Sequence, residues 1–549
     1  MRSWITWLRQ SGGIVESNVV LLDCTLRDGG YNNDWCFGHD TLIGVFERIV
    51  SAGVDFLEVG FLDQRRSFDP DRSIFPDTAS VAKVFGGLDR GRTKLVGMID
   101  FGTCDISHVQ PRAESCLDGI RVIFKKHLRE PAMAFCRQLK DMGHIVFSQL
   151  VSITSYTDDE LMDLIRLVND VKPHAVSIVD TYGLLHKGNL FHYYEMLDRH
   201  VDGDVAVGYH SHNNFQLAYA NSIELINRHK DRSRTLLCDG SLFGMGKGAG
   251  NAPIELLCMY MRDNFGKDYH VSQLLEAIDA NILPLYAKYH WGYSLKAFVA
   301  ASNDCHPNYV SYLVDKKTLS IKSVNEILSR LQGDKKLLYD KNYIEQLYVD
   351  YQRHGCDDSA AYEGLRRLLD GRNVLVLGPG KTIVDERPAI VEHIAAKNPF
   401  VISINYIPDG FSVDAVFLTN SKRYNQQVSA ITANAASIKL IATSNLTRTK
   451  GDFDFTLDYE SLVDRSAVFM DNSFIMMLKV LLKAGVRDVA LAGFDGYSPD
   501  RENYYASKME YDFVKRLGSE INSYVDKVLP ELGRSMSLKF ITSTVYKAI

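Results

Sequence analysis

Two histidines, His210 and His212, close the stretch Val-Ala-Val-Gly-Tyr-His-Ser-His-Asn-Asn at 205–214. The apolar run before them reads as a strand, and side chains at i and i+2 of a strand point to the same face. Two imidazoles offered side by side at a strand end make a natural pair of metal ligands. Asp28, in Asp23-Cys-Thr-Leu-Arg-Asp-Gly-Gly-Tyr31, is a hard oxygen ligand. Asn251 adds an amide oxygen behind the glycine-rich run 244–251, Gly-Met-Gly-Lys-Gly-Ala-Gly-Asn, where the backbone can approach closely. Two nitrogen and two oxygen ligands with open positions suit Mn2+ or Mg2+, with Co2+ and Zn2+ as further options, better than a closed structural zinc. Beside that ion Arg27 is a fixed cation for a developing oxyanion. Asp23, Glu58 and Asp180 are either buried anchors or participants, and Lys125 and His127 are either solvated or catalytic.

These residues need a scaffold that brings distant segments to one place. Apolar, β-branched runs occupy 18–26, 55–61, 94–100, 119–124, 145–152, 175–180, 205–210 and 235–242, separated by amphipathic stretches of helical period. Eight such units over about 250 residues predict a (β/α)8 TIM barrel over 18–262, and their even spacing favours it over a doubly wound open sheet. Chemistry in such a barrel sits at the C-terminal strand ends, where the polar residues collect. Residues 263–360 have helical spacing and form a predicted extension over the barrel mouth, from which Tyr293 or His306 can reach the site or only pack.

The chain has 549 residues, 46% hydrophobic and 24% charged, with a net charge of −6. This is ordinary for a soluble protein and gives no reason to expect nucleic acid as a partner. Nine cysteines without a Cys-x-x-Cys pair fit free thiols in a reducing cytoplasm. No stretch is long and apolar enough for a bilayer span, and the first residues lack the apolar core of a signal peptide.

Asp-Cys-Thr-Leu-Arg-Asp-Gly-Gly at 23–30, His-Ser-His-Asn-Asn at 210–214 and the glycine-rich run at 244–251 together resemble the DRE-TIM metallolyases. That superfamily includes 3-hydroxy-3-methylglutaryl-CoA lyase, 2-isopropylmalate synthase and 4-hydroxy-2-oxovalerate aldolase, and the aldolase-like branch is the most similar. The resemblance implies metal ligands at Asp28, His210, His212 and Asn251, with Arg27 stabilising an enolate. It also implies a 2-oxo acid and an aldehyde as small-molecule partners, and a homo-oligomer. Where the oxovalerate aldolases carry a histidine base this chain has Tyr31, and a phenol of pKa about 10 is a poor base at neutral pH. The general base stays open among Tyr31, Glu58 and His127. A Schiff-base aldolase using Lys125 leaves Asp28 and the histidines without a purpose. The alternatives are a Claisen-type synthase, or an inactive barrel carrying a nucleotide-sugar-binding or glycosyltransferase-like tail.

From about residue 372 a second α/β pattern runs to 549. Its first strand ends in Gly378-Pro-Gly380-Lys-Thr, which lacks the first glycine of a Walker A loop because Leu375 stands there. Backbone N–H groups at Gly378 and Gly380 could still receive a phosphate. Later runs end at Asn405, Asn420, Asn445 and Asp495, the strand ends where open α/β sheets bind ligands. Gly-Pro-Gly and Thr-Asn-Ser-Lys-Arg-Tyr at 419–424 resemble, distantly, the Rossmann-like domains of bacterial sialyltransferase-type and flagellin-modification proteins. That likeness implies a nucleotide or nucleotide sugar as ligand, in surface polysaccharide synthesis.

Overall fold

The computed structural model describes residues 17–547 except 317–318, 337, 353–356, 435–436, 447–451, 465–466, 468, 507–508 and 510–511. The chain divides into two compact units, residues 1–307 and 308–549. That boundary falls within the helical stretch 263–360.

In the first unit eight parallel strands close on themselves. They are β1 (Val19–Asp23), β2 (Phe56–Leu62), β3 (Lys94–Asp100), β4 (Gly119–Phe124), β5 (Ile145–Leu150), β6 (Ala175–Asp180), β7 (Ala206–Ser211) and β8 (Leu236–Gly240). Neighbours in sequence pair, and β1 pairs with both β2 and β8, so the sheet has no free edge among these strands. This is the (β/α)8 barrel that the eight apolar runs predict. A two-residue strand, Ile74–Phe75, adds to β2 beyond a register shift at Glu58–Phe61. Gly60 makes that shift possible, since its φ is +151° and a Cβ there would lie 2.0 Å from the Ser73 carbonyl oxygen.

The strand period of two sorts the barrel interior into layers. Leu22, Phe56, Val96, Phe147, Ala175, Ala206 and Leu237 form an apolar floor, two phenylalanines interlocking with two alanines. The Phe56 and Phe147 rings meet edge to face at 5.5 Å. Two residues further along the strands stand Glu58, Gln149, Ser177 and Asp239, joined by Arg121 of β4, all buried. The next residues inward are Met98, Ile123, Val179 and His210, which face the mouth. A buried polar layer thus lies between an apolar plug and the functional end.

The connecting helices carry their own boundary signals. Thr157 and Glu160 form a capping box at the start of Asp158–Val171, and Gly53 ends His39–Ala52 in the left-handed region at φ +75°. From residue 271 to 307 the first unit continues in helices. Trp291 Nε1 donates to the Phe243 carbonyl at 2.9 Å, and Phe298 meets Phe215, so this segment reaches the loops that follow β7 and β8.

The second unit begins with helices and continues as a seven-stranded parallel sheet. Its strands are β9 (Val374–Leu377), β10 (Phe400–Ile404), β11 (Ala415–Leu418), β12 (Lys439–Thr443), β13 (Phe455–Leu457), β14 (Asp488–Ala492) and β15 (Ser537–Phe540), in the order β13-β12-β11-β10-β9-β14-β15. Val374 and Val376 pack into one apolar cluster and Leu375 and Leu377 into another, so the sheet is covered on both faces. β13 and β15 are additions to the five strands expected from the sequence. Both are edge strands, and β15 reads Ser-Leu-Lys-Phe, half-buried at most, so neither has a continuous apolar run to announce it.

Candidate metal centre and its pocket

Just past β1 the chain turns into a single helical turn, Thr25–Asp28, which places Arg27 and Asp28 at the barrel mouth. β7 ends at Ser211, with His210 inside the strand and His212 one residue beyond. Asp28, His210 and His212 each offer a ligand atom within 4.8 Å of the others, all three buried. The imidazole rings lie 5.0 Å apart and nearly perpendicular. Asn251 Nδ2 donates to Asp28 Oδ2 at 2.9 Å, which leaves its own Oδ1 buried without a protein partner, as is His212 Nδ1. Unsatisfied buried acceptors around one point are costly unless something fills it, and a cation does. The residues present therefore fit a divalent ion.

Electrostatics keeps the set in ligand form. Burial pushes Asp28 upward, but the Arg27 guanidinium and the two histidines outweigh it and hold the carboxyl well below its usual range. Burial drives His212 down to about 3, with Asp28 opposing, so its imidazole is neutral at pH 7. His210 Nδ1 lies 2.8 Å from Asp239 Oδ2, leaving Nε2 for a metal in the orientation a carboxylate–histidine pair imposes.

Behind the ligands runs a dry ionic network. Arg27 Nε donates to Glu58 Oε2 at 2.7 Å and Nη1 to Asp28 Oδ1 at 2.5 Å. Arg121, fully buried, contacts Glu58 at 3.1 Å and Asp239 at 2.5 Å. Burial lowers the Arg27 pKa but Glu58 and Asp28 raise it more, so the guanidinium stays charged. Arg27 also lines the pocket.

That pocket is small, about 40 Å³, and is lined by Met98, Ile123 and Val179 on its apolar side. The residues singled out from the sequence distribute unequally around it. Arg27, Asp28, Tyr31, His210 and His212 line it, and Asn251 supports it. Glu58 stands behind Arg27, fully buried, and is not on the wall. His127 lies in the turn Lys126–Leu128, exposed and off the pocket, as is Lys125. Tyr31 packs edge-on to Trp35 and Phe61, and loss of hydration at the mouth pushes its phenol up to about 12. Tyr293 is 61% exposed, whereas His306 lies close enough to Lys247 and Lys125 to feel their charges. Asp180 is buried and accepts from the N–H groups of Leu184 and Leu185, and Asp23 accepts from Thr25, both serving as loop anchors.

Sequence reasoning missed Asp239, Arg121 and Lys247. The first two had a signal: a charge inside an otherwise apolar strand must be paired.

In the second unit Gly380 N–H donates to the Gly493 carbonyl at 2.8 Å. A Cβ at Gly380 would fall 2.4 Å from Asp495 Oδ1, and one at Gly378 would fall 2.5 Å from the Gly493 carbonyl oxygen. The glycines thus allow the turns after β9 and β14 to pack together. The Gly378 N–H likewise donates to the Ala492 carbonyl at 2.8 Å, so both glycine N–H groups offered to a phosphate are taken by the protein itself, and Asp495 Oδ2 accepts from the Thr382 N–H at 2.9 Å. The cleft beside it is lined by Asn405, Asn420, Arg423, Asn472, Asp495 and Phe494 among others.

The HMGL-like family pattern matches residues 18–279. Oxaloacetate decarboxylase of Mycobacterium tuberculosis is 28% identical over 245 residues, 43% of this chain and 68% of that protein. 4-Hydroxy-2-oxovalerate aldolase 6 of Rhodococcus jostii is 24% identical over 273 residues, 49% of this chain and 75% of the relative. Among solved structures, hydroxymethylglutaryl-CoA lyase from Pseudomonas aeruginosa aligns with a TM-score of 0.41 at 16% identity, covering 50% of this chain and 94% of that one. Through residues 18–279 this chain carries an HMGL-like domain of the DRE-TIM group.

Proposed function

We propose that the barrel is a divalent-metal-dependent aldolase or lyase that makes or breaks a carbon–carbon bond next to the carbonyl of a 2-oxo acid. The observation that carries this reading is the buried Asp28, His210 and His212 set beside Arg27, which lines the same pocket. Asp28, His210, His212 and the Asn251 amide oxygen would hold the ion, and the mixed oxygen and nitrogen set favours Mn2+ or Mg2+. When bound, the ion supplies positive charge that polarises the substrate ketone. Arg27, locked by Glu58 and Asp28, presents a preorganised donor to the oxygen on which enolate charge collects. Met98, Ile123 and Val179 keep water from the carbanion. Tyr31, neutral through the ordinary pH range, is suited to return a proton to an alkoxide as the new bond forms.

NMR of pyruvate methyl protons in D2O tests this. Exchange is expected with metal-replete protein and is lost on chelation and in His210→Ala. Arg27→Lys slows it by about 10²–10³-fold, the usual loss on removing one oxyanion donor. No exchange with metal bound overturns pyruvate-like enolate chemistry, and exchange surviving chelation overturns the metal's role.

For the second unit we infer a nucleotide or nucleotide-sugar ligand, which would connect the protein to surface polysaccharide synthesis. The cleft lies where strand order reverses between β9 and β14, the position at which open parallel sheets take ligands. Calorimetric titration with nucleoside monophosphates and their sugar conjugates tests it, and an absence of heat at millimolar ligand would sink it.

A further inference from the structure

Lys247 projects from the glycine-rich run after β8 and lines the metal pocket. The loop that carries it is pinned. Its own backbone N–H donates to Asp28 Oδ2 at 3.1 Å, the Ala249 N–H to Asn214 Oδ1 at 2.8 Å, and the Asn251 N–H to the Gly244 carbonyl at 3.0 Å. A Cβ at Gly246 would sit 2.6 Å from Asp28 Oδ2, and one at Gly248 2.7 Å from Asn214 Oδ1. Lys247 is therefore the single long cationic side chain on a rigid loop laid against the metal corner.

Its ammonium group has no carboxylate partner within ion-pair distance among the described residues. What it does touch is the Tyr31 ring, 5.3 Å from Nζ to centroid. Asp100 at the end of β3 feels Lys125 and Arg65 more strongly than Lys247.

Charge counting then says what is missing. Arg27 and Arg121 against Asp28, Glu58 and Asp239 leave one net negative charge in the dry network. A divalent ion and Lys247 together bring the site to two positive charges. The carboxylate of a 2-oxo acid balances one of them. We propose that Lys247 binds a second anionic group, so that the barrel's substrates are 2-oxo acids or aldol adducts carrying a further carboxylate or phosphate away from the carbonyl. This rests on the 2-oxo acid reading above and narrows its substrate class.

The test is calorimetric titration of Mn2+-loaded full-length protein with 2-oxoglutarate and with 2-oxopentanoate. The two share a five-carbon chain and differ in the terminal carboxylate. A charge-assisted hydrogen bond predicts that the dicarboxylate binds about tenfold or more tightly. Lys247→Met erases that preference, Lys247→Arg keeps it, and Lys247→Glu reverses it. Equal binding of the two acids by the wild type, or a preference that survives Lys247→Met, overturns the assignment while leaving the 2-oxo acid reading intact. Failure of both acids to bind overturns both.

Discussion

Asp239 Oδ2 faces His210 Nδ1 at 2.8 Å and Arg121 Nη2 at 2.5 Å, so one carboxylate oxygen both orients a metal ligand and neutralises a buried guanidinium. Replacing it with asparagine keeps the volume and removes the charge. The imidazole loses its fixed tautomer and some basicity, and orienting carboxylates of this kind are worth about 10–100-fold in metal affinity. Asp239→Asn is therefore expected to weaken Mn2+ binding by that factor, read by titration calorimetry, with His210→Ala losing more. An unchanged Mn2+ affinity would show that His210 does not depend on Asp239. At this scale the candidate metal corner was legible because His-x-His and Arg-Asp are local patterns. Glu58 was legible as important but not in its role, since its pairing with Arg27 and Arg121 depends on which strands become neighbours. His127 follows β4 as expected, yet its turn carries the ring to the surface.

The elements that hold these side chains obey tighter rules than the side chains themselves. All eight barrel strands fall within the apolar runs or within one residue of them, because a strand buried on both faces leaves an unbroken apolar signature. The glycine loop after β8 needs the folded structure to be understood. Gly246 has no room for a Cβ between Asn251 Nδ2 at 2.5 Å and Asp28 Oδ2 at 2.6 Å, whereas Gly87, in an exposed turn, meets nothing within 4 Å. Gly246→Ala must displace two of the groups that would hold the ion. It is expected to cut metal affinity at least about tenfold and to destabilise the barrel by about 1–3 kcal/mol, the usual cost of overpacking. Gly87→Ala stays near wild type in both metal titration and thermal melting. Equal behaviour of the two variants would mean that the loop shifts freely and does not position Lys247 or Asn251. In the second unit the central strands were legible for the same reason as those of the barrel, and the edge strands β13 and β15 were not, since half-buried edges lose the pattern.

Two units with separate apolar clusters bear on how the whole chain responds to heat and to metal. Every ligand of the proposed ion lies in residues 28–251, inside the first unit, so binding couples to the folding of that unit. Mass action sets the size of the effect: an ion at 100 times its dissociation constant stabilises the state that binds it by about 2.7 kcal/mol. Differential scanning calorimetry of the full chain is expected to resolve into two transitions, of which Mn2+ raises one by a few degrees and a chelator lowers the same one. His210→Ala removes the Mn2+ shift from that transition. A nucleotide bound in the β9–β14 cleft moves the other transition, for the same thermodynamic reason applied to a different unit. The pattern is decisive because the two ligands act on separate parts of one chain. Transitions that move together under either ligand would show that the units unfold as one and that the metal corner is coupled to the second sheet.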